Sequence, residues 1–458
     1  MQRSLSHAAS ISLILLGVGG AGCTDAATDQ GGSEAAAQGP ASGLQADPKA
    51  PQREEPAKPA GRWHKRRVSK DDGSSAKTDL SGLGYSAAYG EAGELKGAFA
   101  HMPDAMAPGL TLFCSGHDTS VLLVDAQGDV RHHWHLDYGD LFGESLPFEV
   151  PEEHKQFVRR AYPYPNGDLL VIFEYIGIAR VDAGGNPIWV HAGRNHHDFE
   201  LQPDGSIVTL GMTQSGAQAV KSRYKTARFS GGVADNQVVF LDASGEPTRS
   251  ISIFDAFHGS DHAPFLGDVP NNTGDIFHAN SVDLVDGVAA AAHPQLEVGD
   301  VLVSMRNPSA VIAIDGETEL VKWLATGIWR QQHQATALPN GKILLLDNCG
   351  GNSGAPMQWN QSRILELDPV TQAISWRYPA KGSKDDFFTH YLGYVERLPG
   401  GNTLVTESTQ GHLIELDPRG QVVWEYFSPF RAGDDGELIT TLMGARRIAT
   451  EELPFLDQ

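Results

Sequence analysis

VLLVDAQGDVRHHW, residues 121–134, decides the fold, because the chain repeats its pattern. An apolar run ends in Asp125, a turn follows around Gly128, and a second run carries Trp134. The phrase returns as ARVDAGGNPIWV (179–190), AIDGETELVKW (313–323), ELDPVTQAISW (366–376) and ELDPRGQVVW (415–424). A sixth copy, VVFLDASGEPTRSISI (238–253), lacks the tryptophan. Asp, Gly and Pro between apolar runs mark a β-hairpin, since these residues accept the backbone angles of a tight turn. A long series of such units implies repeats that bury their faces only by stacking on neighbours.

A second phrase precedes most copies: a strand, a turn of the Pro-Asn-Gly kind, and another apolar strand. It reads YPNGDLLVIF (164–173), QPDGSIVTLG (202–211), LPNGKILLLD (338–347) and LPGGNTLVTE (398–407), with a longer turn in the copy that begins DLVDG (283–287). Together the phrases give four strands per repeat, the content of a propeller blade. The predicted fold is all-β, a six-bladed β-propeller of four-stranded antiparallel blades over residues 83–458, with seven blades as the numerical alternative. The first copy is short of its inner strand. The apolar segment ITTLMGARRIAT (439–450) can supply it, closing the ring and removing an open edge.

Composition agrees: 458 residues are 40% hydrophobic, with 51 glycines and 26 prolines, enough apolar content for a large core joined by many turns. The formal charge of −22 argues against nucleic acid, whose phosphates require a basic surface. An anionic substrate would need a local positive site. At the N-terminus, Arg3 precedes an apolar run, Ile11–Val18, too short to span a bilayer, and small residues lead to Cys23. Residues 1–22 are expected to be a lipoprotein-like signal peptide with lipidation at Cys23, plain secretory cleavage being the alternative. Residues 23–82 read as a disordered, flexible tether, poor in large apolar side chains. Its basic run Arg62–Arg67 is read as solvated linker. The expected location is outside the cytoplasm, at the cell envelope through the lipid anchor or secreted. Cys114 and Cys349 either pair or remain buried thiols.

Chemistry is sought where innermost strands begin, because those points converge on the propeller axis. Counting back from the turn glycines Gly205, Gly341 and Gly287 finds His197, His333 and His278 at nearly equal distances. His390 stands slightly further upstream in the sixth repeat, and Arg159 and Arg160 occupy the place in the second. Arg306 follows the second strand of the fourth repeat. Three histidines can bind a transition metal. No matching carboxylates complete a ligand set, apart from Asp198 beside His197, so no metal or other cofactor is assigned. Histidines beside an arginine suit an oxyanion: the guanidinium offers a fork of donors, and imidazole serves as nucleophile or acid/base. His132, His133 and His135 are separated by strand alternation, and His258 and His262 lie in a loop at the rim or in solvent. The insertion 214–237, with Lys221, Arg223, Lys225 and Arg228, is either a lid or an ordinary surface excursion.

The phrases NHHDFELQPDGSIVTLG (195–211), DIFHANSVDL (275–284), VGDVLVSMRNPSAVIAID (298–315) and QQHQATALPNGKILLLD (331–347) resemble the arylsulfotransferase family of exported six-bladed propellers. The resemblance spans about residues 100–450. It implies transfer of a sulfuryl group from a phenolic sulfate to a phenol without a nucleotide sulfate donor, by a ping-pong route through a sulfohistidine. It places His333 as nucleophile. His197, His278 and Arg306 hold the sulfuryl oxygens and assist proton transfer, Asn280 lies beside them, and His390 is taken as a further substrate contact. His333 must be neutral to attack, so activity is expected to fall below about pH 6. A hydrolase of sulfate or phosphate esters on the same site, and a binding or scaffold propeller without chemistry, are the competing readings. A quinone-dependent dehydrogenase lacks its adjacent cysteines and acidic calcium site here.

Overall fold

The Asp of each repeated phrase caps its own turn. Asp125 Oδ1 accepts the backbone N–H groups of Gln127 and Asp129, both at 3.0 Å. Asp182, Asp242, Asp315, Asp368 and Asp417 do the same in their copies. These Asx turns join the two outer strands of each blade. The computed structural model describes residues 92–143, 146–215, 232–270, 274–293, 295–348, 361–383, 387–433 and 435–457. The expected signal peptide, Cys23, the tether and its basic run, Cys349 and the four cationic residues of the insertion lie outside them.

Six antiparallel sheets form the blades. Blade 1 runs Leu442–Ile448, Leu110–Ser115, Ser120–Val124 and Val130–His135, so the C-terminal strand supplies the inner edge as the sequence suggests. Blade 2 is Arg160–Pro163, Leu169–Phe173, Gly177–Val181 and Pro187–His191. Blade 3 is His196–Leu201, Ile207–Ser215, Val233–Leu241 and Pro247–Ser252. Blade 4 is Ala279–Leu284, Val301–Met305, Ala310–Ile314 and Val321–Thr326. Blade 5 is His333–Ala337, Ile343–Asp347, Arg363–Leu367 and Ile374–Tyr378. Blade 6 is Tyr394–Arg397, Thr403–Glu407, His412–Leu416 and Val422–Phe427. A strand the sequence reading did not foresee, Gly97–Ala100, adds to the outer edge of blade 6. The lengthened turn of blade 4 holds a short helix, Gly287–Ala292, capped by Asp286.

Middle strands are buried on both faces because each blade is sandwiched between two others. Leu170, Ile172 and Ile178 of blade 2 pack with Ile207, Val239 and Leu241 of blade 3. The repeated tryptophan stitches one blade to the next. Trp323 Nε1 donates to Pro369 O at 3.1 Å, in the Asx turn of the following blade. Trp424 Nε1 donates to Ala126 O at 2.9 Å, joining blade 6 back to blade 1. Trp189 covers Gly245, where any side chain would collide with its ring. The copy without tryptophan uses Arg249, whose Nη1 donates to Gly316 O at 3.3 Å. In blade 1 the corresponding rung carries His132, hydrogen-bonded to the Ala183 backbone, with Trp134 two residues on.

Innermost strands expose a backbone edge toward the axis, and side chains of the preceding blade satisfy part of it. Asp198 and Glu200 accept from Val282 N and Leu284 N at 3.3 and 2.6 Å. Ser281 and Asp283 accept from Ala335 N and Ala337 N at 3.0 and 2.9 Å. Buried backbone donors left unpaired would be costly. These carboxylates therefore act as struts between blades.

Candidate active site

The innermost strands of blades 3, 4 and 5 each break register near their first residues. Such bulges re-aim side chains and are common beside functional sites. His197, His278 and Gln334 have φ of 61°, 51° and 50°. Side chains rarely occupy this left-handed region, which costs of order 1–3 kcal/mol per residue. The surrounding blades hold them there. The register also refines the glycine count: His333 pairs with Leu346, and the matching residue of blade 3 is His196, paired with Leu210. His197 sits inside the bulge, one residue along.

The bulges bring the histidines together. The rings of His197 and His278 stand 4.9 Å apart, nearly perpendicular. His197 and His333 are buried, His278 half so. Each has an acceptor at Nδ1. His278 Nδ1 lies 2.7 Å from Asp275 Oδ2, and its backbone N–H donates to Asp275 Oδ1 at 2.9 Å. His197 Nδ1 lies 2.9 Å from both Glu174 Oε1 and His196 Nδ1. His196 uses its Nε2–H on Gly211 O at 3.2 Å, so its neutral Nδ1 carries a lone pair toward His197. His333 Nδ1 lies 2.7 Å from Asn348 Oδ1.

Two arginines supply positive charge. Arg306 receives the His278 carbonyl on its backbone N–H at 3.0 Å, and its guanidinium reaches Asn307 and Gln331 at 3.0 and 3.4 Å. Arg159 lies 3.2 Å from Glu174 Oε2. Burial, followed by the charge of Arg306, holds the His333 imidazole well below its ordinary value. Burial lowers His197 to about 3, and burial also lowers His196. Glu174 and Asp275 lie below the usual carboxylate range: their histidine partners outweigh the upward push of burial. At neutral pH His333 and His197 are therefore uncharged rings beside ionised carboxylates and two guanidinium groups. Asn280 donates to Gln332 O at 2.8 Å, beside His333 in the chain, and its buried Oδ1 has no partner among the described residues.

Arg160, next to Arg159 in the chain, ties the blades together. It reaches Asp198 and Gln334, both at 3.1 Å, and lies 4.0 Å from the Tyr394 ring centroid. It also crowds Gly444, where a Cβ would approach Arg160 Nη1 to 2.7 Å. One side chain from blade 2 thus touches blades 1, 3, 5 and 6.

Glu174, His196 and His197 offer ligand atoms within 4.8 Å of one another. Their donors are already committed to one another and to Arg159. A second cluster, Glu297, Asp300 and Asp315, surrounds the Lys322 ammonium at 3.0–3.1 Å.

Of the residues selected from sequence, His197, His278, His333, Arg306 and Asn280 gather near the first residues of the innermost strands. His390 is half-buried among Phe388 and Tyr391, in the loop entering blade 6. The insertion 214–237 begins and ends as strand, because Ile207–Ser215 pairs with Val233–Leu241 along nine residues. That ribbon carries Asn236, which donates to Asp275 at 2.9 Å. His258 ends a short helix and is exposed. Cys114 is a buried free thiol pushed up to about 12 by burial.

Sequence reasoning missed Glu174, His196, Asp275 and Asn348. Glu174 and Asn348 each stand two residues beyond the partner of the first inner-strand residue, Ile172 and Leu346. The endings VIFE and LLLDN carry that signal, visible only once the strands are paired.

A six-bladed propeller with a histidine–arginine site where its innermost strands begin is the class this geometry defines. The arylsulfotransferase (ASST) family matches residues 165–429, and the chain belongs to that family. No curated protein matches. Among solved structures, a Bacteroides caccae protein of unknown function is 13% identical, covering 70% of this chain and 94% of its own, with a TM-score of 0.44. Virginiamycin B lyase from Staphylococcus aureus is 10% identical, covering 76% and 94%, with a TM-score of 0.38. The Dos1 propeller is 9% identical, covering 76% and 77%, with a TM-score of 0.37.

Proposed function

We propose that the protein transfers a sulfuryl group from an aryl sulfate to a phenol through a sulfohistidine on His333, without a nucleotide donor. The observation that carries the reading is a neutral, buried imidazole placed beside Arg306 and two carboxylate-backed histidines. His333 Nε2 attacks sulfur, the S–O bond to the aryl group breaks, and the phenolate leaves. His278 is the acid that protonates this oxygen, and Asp275 holds its ring. A second phenol then gives its proton to the same base and attacks sulfur. The N–S bond breaks, and its electron pair returns to Nε2. Arg306 stabilises the equatorial oxygens, the Asn280 amide borders them, and His197 completes the wall. As in phosphoryl transfer, the protein contributes mainly in-line positioning and charge stabilisation.

The test is nitrophenolate release from 4-nitrophenyl sulfate with and without phenol, in wild type and His333→Gln. Release that requires phenol and is lost in the variant supports the proposal. Release without an acceptor indicates a sulfatase, and no release with any donor indicates a binding propeller. Lipid anchoring through Cys23 is part of the proposal: Cys23→Ala should move the protein from the membrane to the soluble fraction.

A further inference from the structure

We infer that Asn348 is a positioning residue that fixes the His333 proton on Nδ1 and so keeps Nε2 a neutral nucleophile and a ready leaving group. The inference rests on the sulfohistidine reading for its kinetic consequences, but not for the tautomer itself. Asn348 is fully buried, and its Nδ2 donates to Thr389 O at 3.0 Å and to Leu392 O at 2.8 Å. Reversing the amide would set its oxygen against two carbonyl oxygens, so the orientation follows from chemistry. The surroundings are rigid: Ser362 Oγ donates to Asn348 O at 3.2 Å and accepts from Thr389 N at 3.0 Å. Leu392 is held at φ 58°. With both amide hydrogens committed, Oδ1 can only accept, and His333 Nδ1 must carry the hydrogen that it receives. The lone pair is then on Nε2.

The acceptors divide by charge. His278 and His197 rest on carboxylates, whereas His333 rests on a neutral amide. Arg306, Arg159 and His197 are the charged or titratable groups that act most strongly on His333. After Nε2 takes the sulfuryl group, the ring retains its Nδ1 hydrogen and is cationic. An amide stabilises that cation less than a carboxylate would, so the N–S bond remains weaker and phenol is sulfated more readily. A carboxylate in its place would hold the cation and slow the second step.

The first measurement is a long-range 1H–15N correlation on 15N-histidine protein, with His333→Gln identifying the signal. Hydrogen on Nδ1 and an unprotonated Nε2 are expected at pH 7, and the reverse tautomer overturns the inference. The second uses Asn348→Asp. The acid limb of kcat/KM should rise by about one pH unit or more. Mixing with 4-nitrophenyl sulfate should give a nitrophenolate burst approaching one equivalent, followed by transfer to phenol at least tenfold slower than wild type. A folded variant with an unchanged limb and no burst overturns it, and if the variant does not fold the tautomer measurement decides. Loss of activity in Asn348→Asp together with full activity in His333→Gln would instead refute the sulfohistidine reading.

Discussion

Lowering the pH from 7 to 5 tests the site directly, because an ordinary imidazole nucleophile would nearly vanish over that range. With a reference value of about 6.5, only about one ring in thirty is neutral at pH 5. The loss in kcat/KM, relative to its plateau above the limb, would then be about thirtyfold. In the structure, burial and the Arg306 and Arg159 guanidinium groups all push His333 downward, and only the Asn348 hydrogen bond opposes them. The nucleophile should therefore remain neutral at pH 5, and the loss should be several-fold smaller than thirtyfold. This places the acid limb below the value of about 6 expected from the sequence. The assay follows 4-nitrophenyl sulfate with phenol, each sample stopped in alkali so that nitrophenolate is read at one pH. Circular dichroism at each pH, and recovery of activity on return to pH 7, separate titration from unfolding. Arg306→Gln removes the largest electrostatic contribution and should raise the limb toward neutrality, whatever its effect on maximal rate. A thirtyfold loss at pH 5 in a folded wild type, with no movement in Arg306→Gln, would refute the argument.

The remaining predictions concern the ring. Trp424→Ala empties a fully buried site and breaks the bond from blade 6 to Ala126, so thermal melting should show a loss of about 3–5 kcal/mol. Trp376→Ala, at a half-buried ring packed beside the Gly420 turn of blade 6, should cost clearly less, and equal losses would contradict the stitching role. Buried His412 lies between Glu407 at 2.9 Å and Glu425 at 3.1 Å, and is raised to about 9. The folded protein thus holds a proton that the unfolded chain releases near 6.5. This stabilisation is complete below that pH and is lost as pH rises through about 9. His412→Gln should flatten the fall in melting temperature between pH 7 and 10. Gly444→Ala should displace Arg160 from Asp198 and Gln334 and lower kcat/KM by at least tenfold; wild-type kinetics in a folded variant would show that these contacts are not needed.

The sequence alone determined the blades, because each is written locally. Asp-led turns, double-sided apolar runs and one stitching side chain recur within a few residues, and the displaced strand at 442–448 was legible as the piece the first copy lacked. It also located most of the histidine–arginine group, since the innermost strands of a radial fold must converge. Tertiary structure decided the rest. The stitch tolerates Arg249 and His132 because the turn ahead presents only a backbone oxygen to be met, so no residue type identifies it. The bulges shift His197 off the rung of His333, a displacement no count from a turn glycine can show. Glu174 reaches His197, Asn348 reaches His333, and Arg160 spans five blades by lateral pairing of strands. Those contacts set charge and tautomer, and they exist only after register, strain and burial have been fixed by the closed ring.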